Sequence, residues 1–93
     1  MRLSEHEKNA ILQAVHQKDP GAMVYIFGSR ADDNARGGDI DILILSEILT
    51  FSDKIDIKLE LYKRIGEQKI DIVIDRDLTK PFTRIAAKQG LRL

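Results

Sequence analysis

Three aspartates stand in apolar segments of the chain, where a charged side chain is costly unless it is paired or bound to a metal. Asp39 and Asp41 flank Ile40 at the start of one Ile- and Leu-rich run, and Asp71 lies in a second such run. Side chains alternate across a strand, so Asp39 and Asp41 share a face. If the two runs are neighbouring strands, Asp71 comes within reach of that pair.

Converging carboxylates repel one another unless a cation compensates their charge. Mg²⁺ is the fitting ion, because it takes oxygen ligands and prefers few carboxylates plus substrate phosphates. Two such ions can clamp the attacking and leaving oxygens of an in-line displacement at phosphorus. The pattern therefore predicts a metal-dependent site for transfer at phosphorus. The alternative interpretation is that each aspartate is solvated at a strand end.

A glycine-serine pair, Gly28-Ser29, follows the apolar run of residues 22–27 and precedes a polar stretch. A strand that ends in Gly-Ser and continues into a short helical turn presents backbone N–H groups to a phosphate. Glycine permits a close approach, the Ser29 hydroxyl adds a donor, and Arg30 and Arg36 can contact triphosphate oxygens. We predict a phosphate-binding turn here; the alternative is a simple turn.

The elements that must position these residues follow from periodicity and from helix and turn signals. Helices are predicted at about residues 4–18, 53–65 and 81–90, and strands at about 22–27, 40–45 and 70–74. This order predicts an α/β (α+β) fold with a small mixed sheet of three to four strands flanked by helices. The strand at residues 40–45 pairs with both neighbours if it is central.

Histidine, aspartate and aromatic residues outside these motifs are further candidates for the same site. His6 and His16 lie ten residues apart in the first helix, which predicts surface or partner contacts rather than metal binding. Asp75 shares the face of Asp71, and we interpret it as a solvated strand end rather than a supporting residue. Phe27 could flank a base, but an aromatic residue in a buried strand is predicted to be core.

Composition limits the classes of function. Ninety-three residues predict one domain over residues 1–93, and the absence of cysteine excludes disulfides, thiolate zinc sites and thiol nucleophiles. Fifteen basic residues balance fifteen acidic ones, so nothing demands direct nucleic-acid binding, although local basic patches stay open. No run approaches the length of a membrane span, and a cytoplasmic location with no membrane partner is the expectation.

The stretch FGSRADDNARGGDIDILI, residues 27–44, resembles the signature of the polymerase-beta-type nucleotidyltransferase superfamily. The short length resembles the minimal nucleotidyltransferases of prokaryotes, which are often encoded beside a helical HEPN-type partner. The terminal AAKQGLRL is similar to the family's usual ending. Two features depart from the pattern. The family commonly has a serine just before the first Asp and a slightly longer loop, whereas Gly38 stands here after Gly37. Asp32-Asp33 stands where many members have a basic residue or glycine.

The resemblance implies a role for each matching residue. Gly28 and Ser29 would hold the phosphates of ATP or another NTP. Asp39 and Asp41 would bind both Mg²⁺ ions, and Asp71 would complete the ligand set and help activate the acceptor hydroxyl. The implied reaction transfers a nucleoside monophosphate, AMP from ATP, to a hydroxyl and releases pyrophosphate.

The chain is too short to build an acceptor pocket alone, so a partner is expected to supply the acceptor. The resemblance implies a HEPN-type ribonuclease toxin, with this chain as the antitoxin that adenylylates a tyrosine hydroxyl. One alternative is a non-catalytic antitoxin that neutralises its partner by binding. Another, an antibiotic-type nucleotidyltransferase, is weakened by the missing acceptor domain. A homo-oligomer stays open.

Overall fold

Three helices and a four-stranded sheet form the part of the chain that the structure describes, residues 2–34 and 38–93 of a computed structural model. None of the helices in these ranges is long and apolar enough to cross a membrane. In chain order the elements are α1 (Glu5–His16), β1 (Met23–Phe27), a 3₁₀ turn (Gly28–Ala31), β2 (Ile40–Leu45), α2 (Phe51–Ile65), β3 (Ile70–Asp75), α3 (Pro81–Gln89) and β4 (Leu91–Arg92).

The sheet is mixed, with the strand order β3-β2-β1-β4. β2 runs parallel to β3 and antiparallel to β1, so it pairs with both neighbours as predicted. β4 pairs antiparallel with β1. The α/β fold class and the small mixed sheet are therefore confirmed, and the fourth strand lies within the predicted count.

The two faces of the sheet are covered by different helices. α1 and α2 cover one face, where Ile40, Ile42, Ile44, Ile70 and Ile72 join the main buried cluster. α3 covers part of the other face through Ala86, which packs with Leu43 and Leu45. Full burial of each such aliphatic side chain stabilises the fold by about 1.5–3 kcal/mol. Strand alternation therefore puts Asp41 and Asp71 together on the face of the sheet that α3 partly covers.

Capping residues fix where the first two helices begin. Ser4 and Glu7 form a capping box at α1, in which each side chain accepts from the other residue's backbone N–H. Thr50 and Asp53 form the same box at α2. This helix starts at Phe51 rather than near residue 53, because Thr50 is the cap.

Asp75 fastens α3 to the sheet and is not the solvated strand end that we predicted. Its Oδ2 accepts a 2.6 Å hydrogen bond from the Thr83 hydroxyl, and the Thr83 side chain is buried. This hydrogen bond lowers the pKa of Asp75, and the Arg76 backbone N–H and the Lys80 ammonium group act in the same direction. The local sequence gave no sign of this contact, because it depends on where α3 lies.

Thr83→Val is expected to lower the melting temperature by roughly 5 °C or more at pH 7, because it removes a buried hydrogen bond to a charged group. A lowered folded-state pKa gives Asp75 a stabilising contribution above its unfolded pKa of about 3.9, which is lost as the pH falls. The melting-temperature difference between variant and wild type should therefore shrink between pH 5 and pH 3 in calorimetric scans. A difference that does not change with pH would contradict this assignment.

Candidate active site

Asp41 and Asp71 lie directly opposite each other on neighbouring parallel strands. The register pairs Asp41 of β2 with Asp71 of β3, and on its other side Asp41 pairs with Phe27 of β1. Neighbouring strands lie about 4.8 Å apart, so two carboxylates meet at this position. The predicted adjacency of the two strands is confirmed, and the structure brings this pair together.

The surroundings of Asp41 oppose its negative charge. Burial raises the pKa of Asp41, and the negative charges of Asp71 and then Asp39 raise it further. The Lys69 ammonium group acts in the opposite direction without cancelling these effects. Paired carboxylates with a raised pKa are typical of functional sites, where charge is held ready for a substrate or an ion.

Lys69 is a member of the site that the sequence pattern did not single out. Its Nζ lies 3.3 Å from the Asp39 Oδ2, and this hydrogen bond raises the pKa of Lys69. The charges of Asp39, Asp71 and Asp41 add to that effect. A signal was available, because a parallel register that pairs residue 41 with residue 71 also places residue 69 opposite residue 39.

Lys69→Gln is expected to raise the pKa of Asp41 further, because it removes the ammonium group of Lys69, whose positive charge lowers the pKa of Asp41. Carbon-13 NMR titration of the Asp41 carboxyl carbon measures the change. Lys58→Gln is a matched control, because Lys58 lies on α2, which covers the opposite face of the sheet. An Asp41 titration curve that is the same in wild type and Lys69→Gln would show that the lysine does not compensate the carboxylates.

Gly28 lies directly beneath the Asp41 carboxylate. A Cβ atom at position 28 would overlap the Asp41 Oδ2, and Gly28 also has a φ of 69°, which L side chains rarely adopt. The sequence pattern predicts that this glycine permits the close approach of a phosphate. The structure gives a further reason for it, since only glycine leaves room for Asp41.

The Gly28-Ser29 turn is packed against the far end of the polar loop. Ser29 Oγ lies against Gly38, whose φ is 91° and where a Cβ atom would overlap that hydroxyl. Arg30 donates from Nη1 to the Arg2 carbonyl at 2.9 Å and from Nε to the Gly38 carbonyl at 3.3 Å. Arg30 therefore ties the turn to Gly38. Its contact with a phosphate stays a prediction, and Arg36 lies outside the described residues.

Mg²⁺ is the ion that the carboxylates of this site are expected to bind. Within residues 2–34 and 38–93, no group of three His, Cys, Asp or Glu side chains stands close enough to hold an ion unaided. Mg²⁺ does not require such a cage, because it binds one or two carboxylates together with substrate phosphates. The structure does not assemble Asp39, Asp41 and Asp71 into a ready-made set of three ligands. The opposed oxygen donors of Asp41 and Asp71 and the unbalanced charge at Asp41 fit an ion that substrate phosphates help to hold.

The carboxylates occupy an open part of the molecule. Asp71 is exposed on the edge strand β3, and the Asp39 side chain is 41% exposed. A groove of about 320 Å³ between α1 and α2 lies on the opposite face of the sheet, lined by residues that include Lys18, Asp56 and Glu60. A substrate bound in that groove would not reach Asp41, so the site must be approached from the open side.

Comparison with known families agrees with this geometry. A family model described as "Polymerase beta, Nucleotidyltransferase" matches residues 9–93. The match includes the Gly28-Ser29 turn and all three aspartates. No curated protein shows a significant match to the chain.

Proposed function

The chain belongs to the polymerase-beta-type nucleotidyltransferase family, and from this premise we propose that Asp39, Asp41 and Asp71 transfer AMP from ATP to a hydroxyl group on a partner protein. Nucleotidyl transfer is the activity of the family. The observation that carries the proposal is the opposed pair Asp41 and Asp71, together with the raised pKa of Asp41. The resemblance to minimal nucleotidyltransferases supports ATP as the donor.

The reaction is a displacement at the α-phosphorus of ATP. The acceptor oxygen forms a bond to this phosphorus, the bond to the bridging oxygen of the β-phosphate breaks, and pyrophosphate leaves. Asp71 is exposed and takes the proton of the acceptor hydroxyl. Asp39, Asp41 and Asp71 are the residues that would hold Mg²⁺, which when bound supplies positive charge to the phosphate oxygens.

The Gly28-Ser29 turn is proposed to position the nucleotide. Ser29 would donate its hydroxyl to a phosphate oxygen, and Gly28 keeps the Asp41 carboxylate against the turn, so that phosphate and carboxylate occupy neighbouring positions. Catalysis then comes from positioning and from the electrostatics of the site. Arg30 and Arg36 would add charge-assisted hydrogen bonds to the triphosphate.

A partner protein is the proposed acceptor. The open position of Asp71 supports an acceptor that another molecule presents, and the resemblance supports a HEPN-type toxin with a tyrosine hydroxyl. A second candidate is a non-catalytic antitoxin, favoured by the ion pair between Lys69 and Asp39, because this pair partly neutralises the carboxylates without a metal ion.

One experiment separates the two candidates. The protein is incubated with Mg²⁺, ATP labelled at the α-phosphate and the helical protein encoded by the adjacent reading frame. We expect label on that protein, lost in Asp39→Asn and retained in Glu47→Gln, an exposed carboxylate after β2. A tight complex without label, unaffected by Asp39→Asn, would instead support the non-catalytic antitoxin.

A further inference from the structure

Positive charge is concentrated at the end of the sequence. The chain has no net charge, yet residues 78–93 contain Lys80, Arg84, Lys88 and Arg92 and no acidic residue. Arg84 and Lys88 are exposed on α3, and neither forms an ion pair within the described residues. The Lys80 Nζ lies 3.8 Å from the Asp75 Oδ1, which is long for an ion pair, and the Lys80 side chain is 73% exposed, so this contact is weak. α3 therefore presents unpaired positive charge to its surroundings.

The same helix exposes an apolar surface next to the carboxylates. Phe82 and Ile85 are each 55% exposed and are three residues apart, so they are neighbours on one flank of α3. The Phe82 ring packs edge-on against Phe27 at 5.8 Å, and Phe27 is the strand partner of Asp41. We name this surface, formed by Phe82, Arg84, Ile85 and Lys88, the α3 shelf.

We propose that the α3 shelf docks the acceptor segment of the partner protein, a segment that combines acidic and apolar side chains around its hydroxyl-bearing residue. The inference rests on the proposed function and names the surface that brings the acceptor to it. A carboxylate site repels an acidic acceptor at close range, whereas cations on the neighbouring helix attract and orient it. The apolar side chains of Phe82 and Ile85 add a contact from which water is excluded, and charged side chains alone do not provide such a contact.

Other occupants fit the α3 shelf less well. A second copy of the chain, docked by the same surface, would face Arg84 and Lys88 with identical cations across a two-fold axis. Single-stranded nucleic acid is bound through a series of phosphate contacts together with aromatic platforms for its bases. The α3 shelf offers one aromatic ring, and the side chain beside it, Ile85, cannot stack on a base. An acidic protein segment matches both its charge and its apolar character.

Fluorescence anisotropy with three defined probes tests the proposal: an acidic Glu/Tyr copolymer, a basic Lys/Tyr copolymer and a single-stranded oligoribonucleotide. We expect the full-length protein to bind the Glu/Tyr copolymer in preference to the other two. The double variant Arg84→Glu/Lys88→Glu should weaken that binding by about tenfold or more. Ile85→Ala, which keeps all charges, should weaken it less but measurably.

Controls come from α2, on the other side of the sheet. Lys58→Glu reverses a comparable charge, and Phe51→Ala removes a ring that is 73% exposed, so neither should change binding. Circular dichroism establishes that each variant is folded. Binding that is unchanged in Arg84→Glu/Lys88→Glu, equal binding of the Lys/Tyr copolymer, or preferred binding of the oligoribonucleotide would overturn the proposal, as would binding lost only in the α2 variants.

Transfer is measured in the same samples with ATP labelled at the α-phosphate, which separates the two claims. If the Glu/Tyr copolymer binds through the α3 shelf but no protein acceptor receives label, the docking inference stands and the proposed function fails. If tyrosine is labelled at the same rate in wild type and in Arg84→Glu/Lys88→Glu, the proposed function stands and the docking inference fails.

Discussion

Asp41→Asn is expected to reduce nucleotidyl transfer by about 10³-fold or more and, at neutral pH, to make the protein more stable. We expect the loss of activity because asparagine lacks the negative charge that the proposed Mg²⁺ site requires. The gain in stability follows because the charge that is lost is one that the folded protein opposes, through burial and through Asp71 and Asp39. The lower activity and the higher stability therefore have the same cause, which is the removal of the negative charge of Asp41.

The size of the stability effect depends on pH. A raised folded-state pKa means that Asp41 favours folding while it is protonated, and this contribution is lost as the pH rises through the folded-state pKa. Asparagine resembles the protonated form at every pH. We therefore expect Asp41→Asn to raise the melting temperature by roughly 2–5 °C at pH 7, and by less as the pH approaches 4. Differential scanning calorimetry over this range measures the effect.

Asp75→Asn is the matched control, on the same face of the neighbouring strand. The pKa of Asp75 is lowered by its hydrogen bond with Thr83, so its charge stabilises the fold and the same substitution should lower the melting temperature at pH 7. Nucleotidyl transfer per folded molecule should be retained. A lower melting temperature for Asp41→Asn at pH 7, or activity retained in that variant, would contradict our view of the site.

Gly28→Ala is expected to have the second largest effect, with transfer reduced by about 10²-fold or more and stability lowered by roughly 2–4 kcal/mol. A methyl group at position 28 overlaps the Asp41 Oδ2, so the carboxylate must move away from its position opposite Asp71. The positive φ of Gly28 adds a backbone cost of about 1–2 kcal/mol. Steady-state transfer assays and urea denaturation measure the two effects.

Gly66→Ala separates backbone strain from the displacement of Asp41. Gly66 ends α2 with a φ of 84°, but a Cβ atom there would meet nothing within 4 Å. The ψ of 171° places Gly66 in a region that only glycine adopts readily, so the variant should cost about 1–3 kcal/mol and leave transfer unchanged. If Gly28→Ala and Gly66→Ala have the same effect on activity and stability, the contact between Gly28 and Asp41 has no functional importance.

The strands and the carboxylate pair could be predicted because strand alternation is a local property. In the segment from Asp39 to Asp41, three residues are enough to show which side chains lie on the same face of the sheet. The same holds for the residues around Asp71. The start of α1 is determined by an equally local contact, since Ser4 and Glu7 are three residues apart and cap each other. These features need no knowledge of how distant segments pack.

The features that sequence analysis missed depend on packing between distant segments. Lys69 reaches Asp39 because of the β2–β3 register, and Thr83 reaches Asp75 because of the position and rotation of α3 over the sheet. β4 has only two residues, too few to show an alternating pattern. It depends on Gly90, where a Cβ atom would overlap the Ile26 carbonyl oxygen of β1.

The central claim is that this site transfers a nucleotidyl group, and a comparison of two labelled forms of ATP tests it most directly. The protein is incubated with Mg²⁺ and the proposed helical partner, once with ATP labelled at the α-phosphate and once with ATP labelled at the γ-phosphate. We predict stable labelling of the partner from the α-label alone, with the γ-label recovered in pyrophosphate, and no transfer by Asp41→Asn. Labelling from the γ-phosphate, or equal labelling by wild type and Asp41→Asn, would contradict the claim.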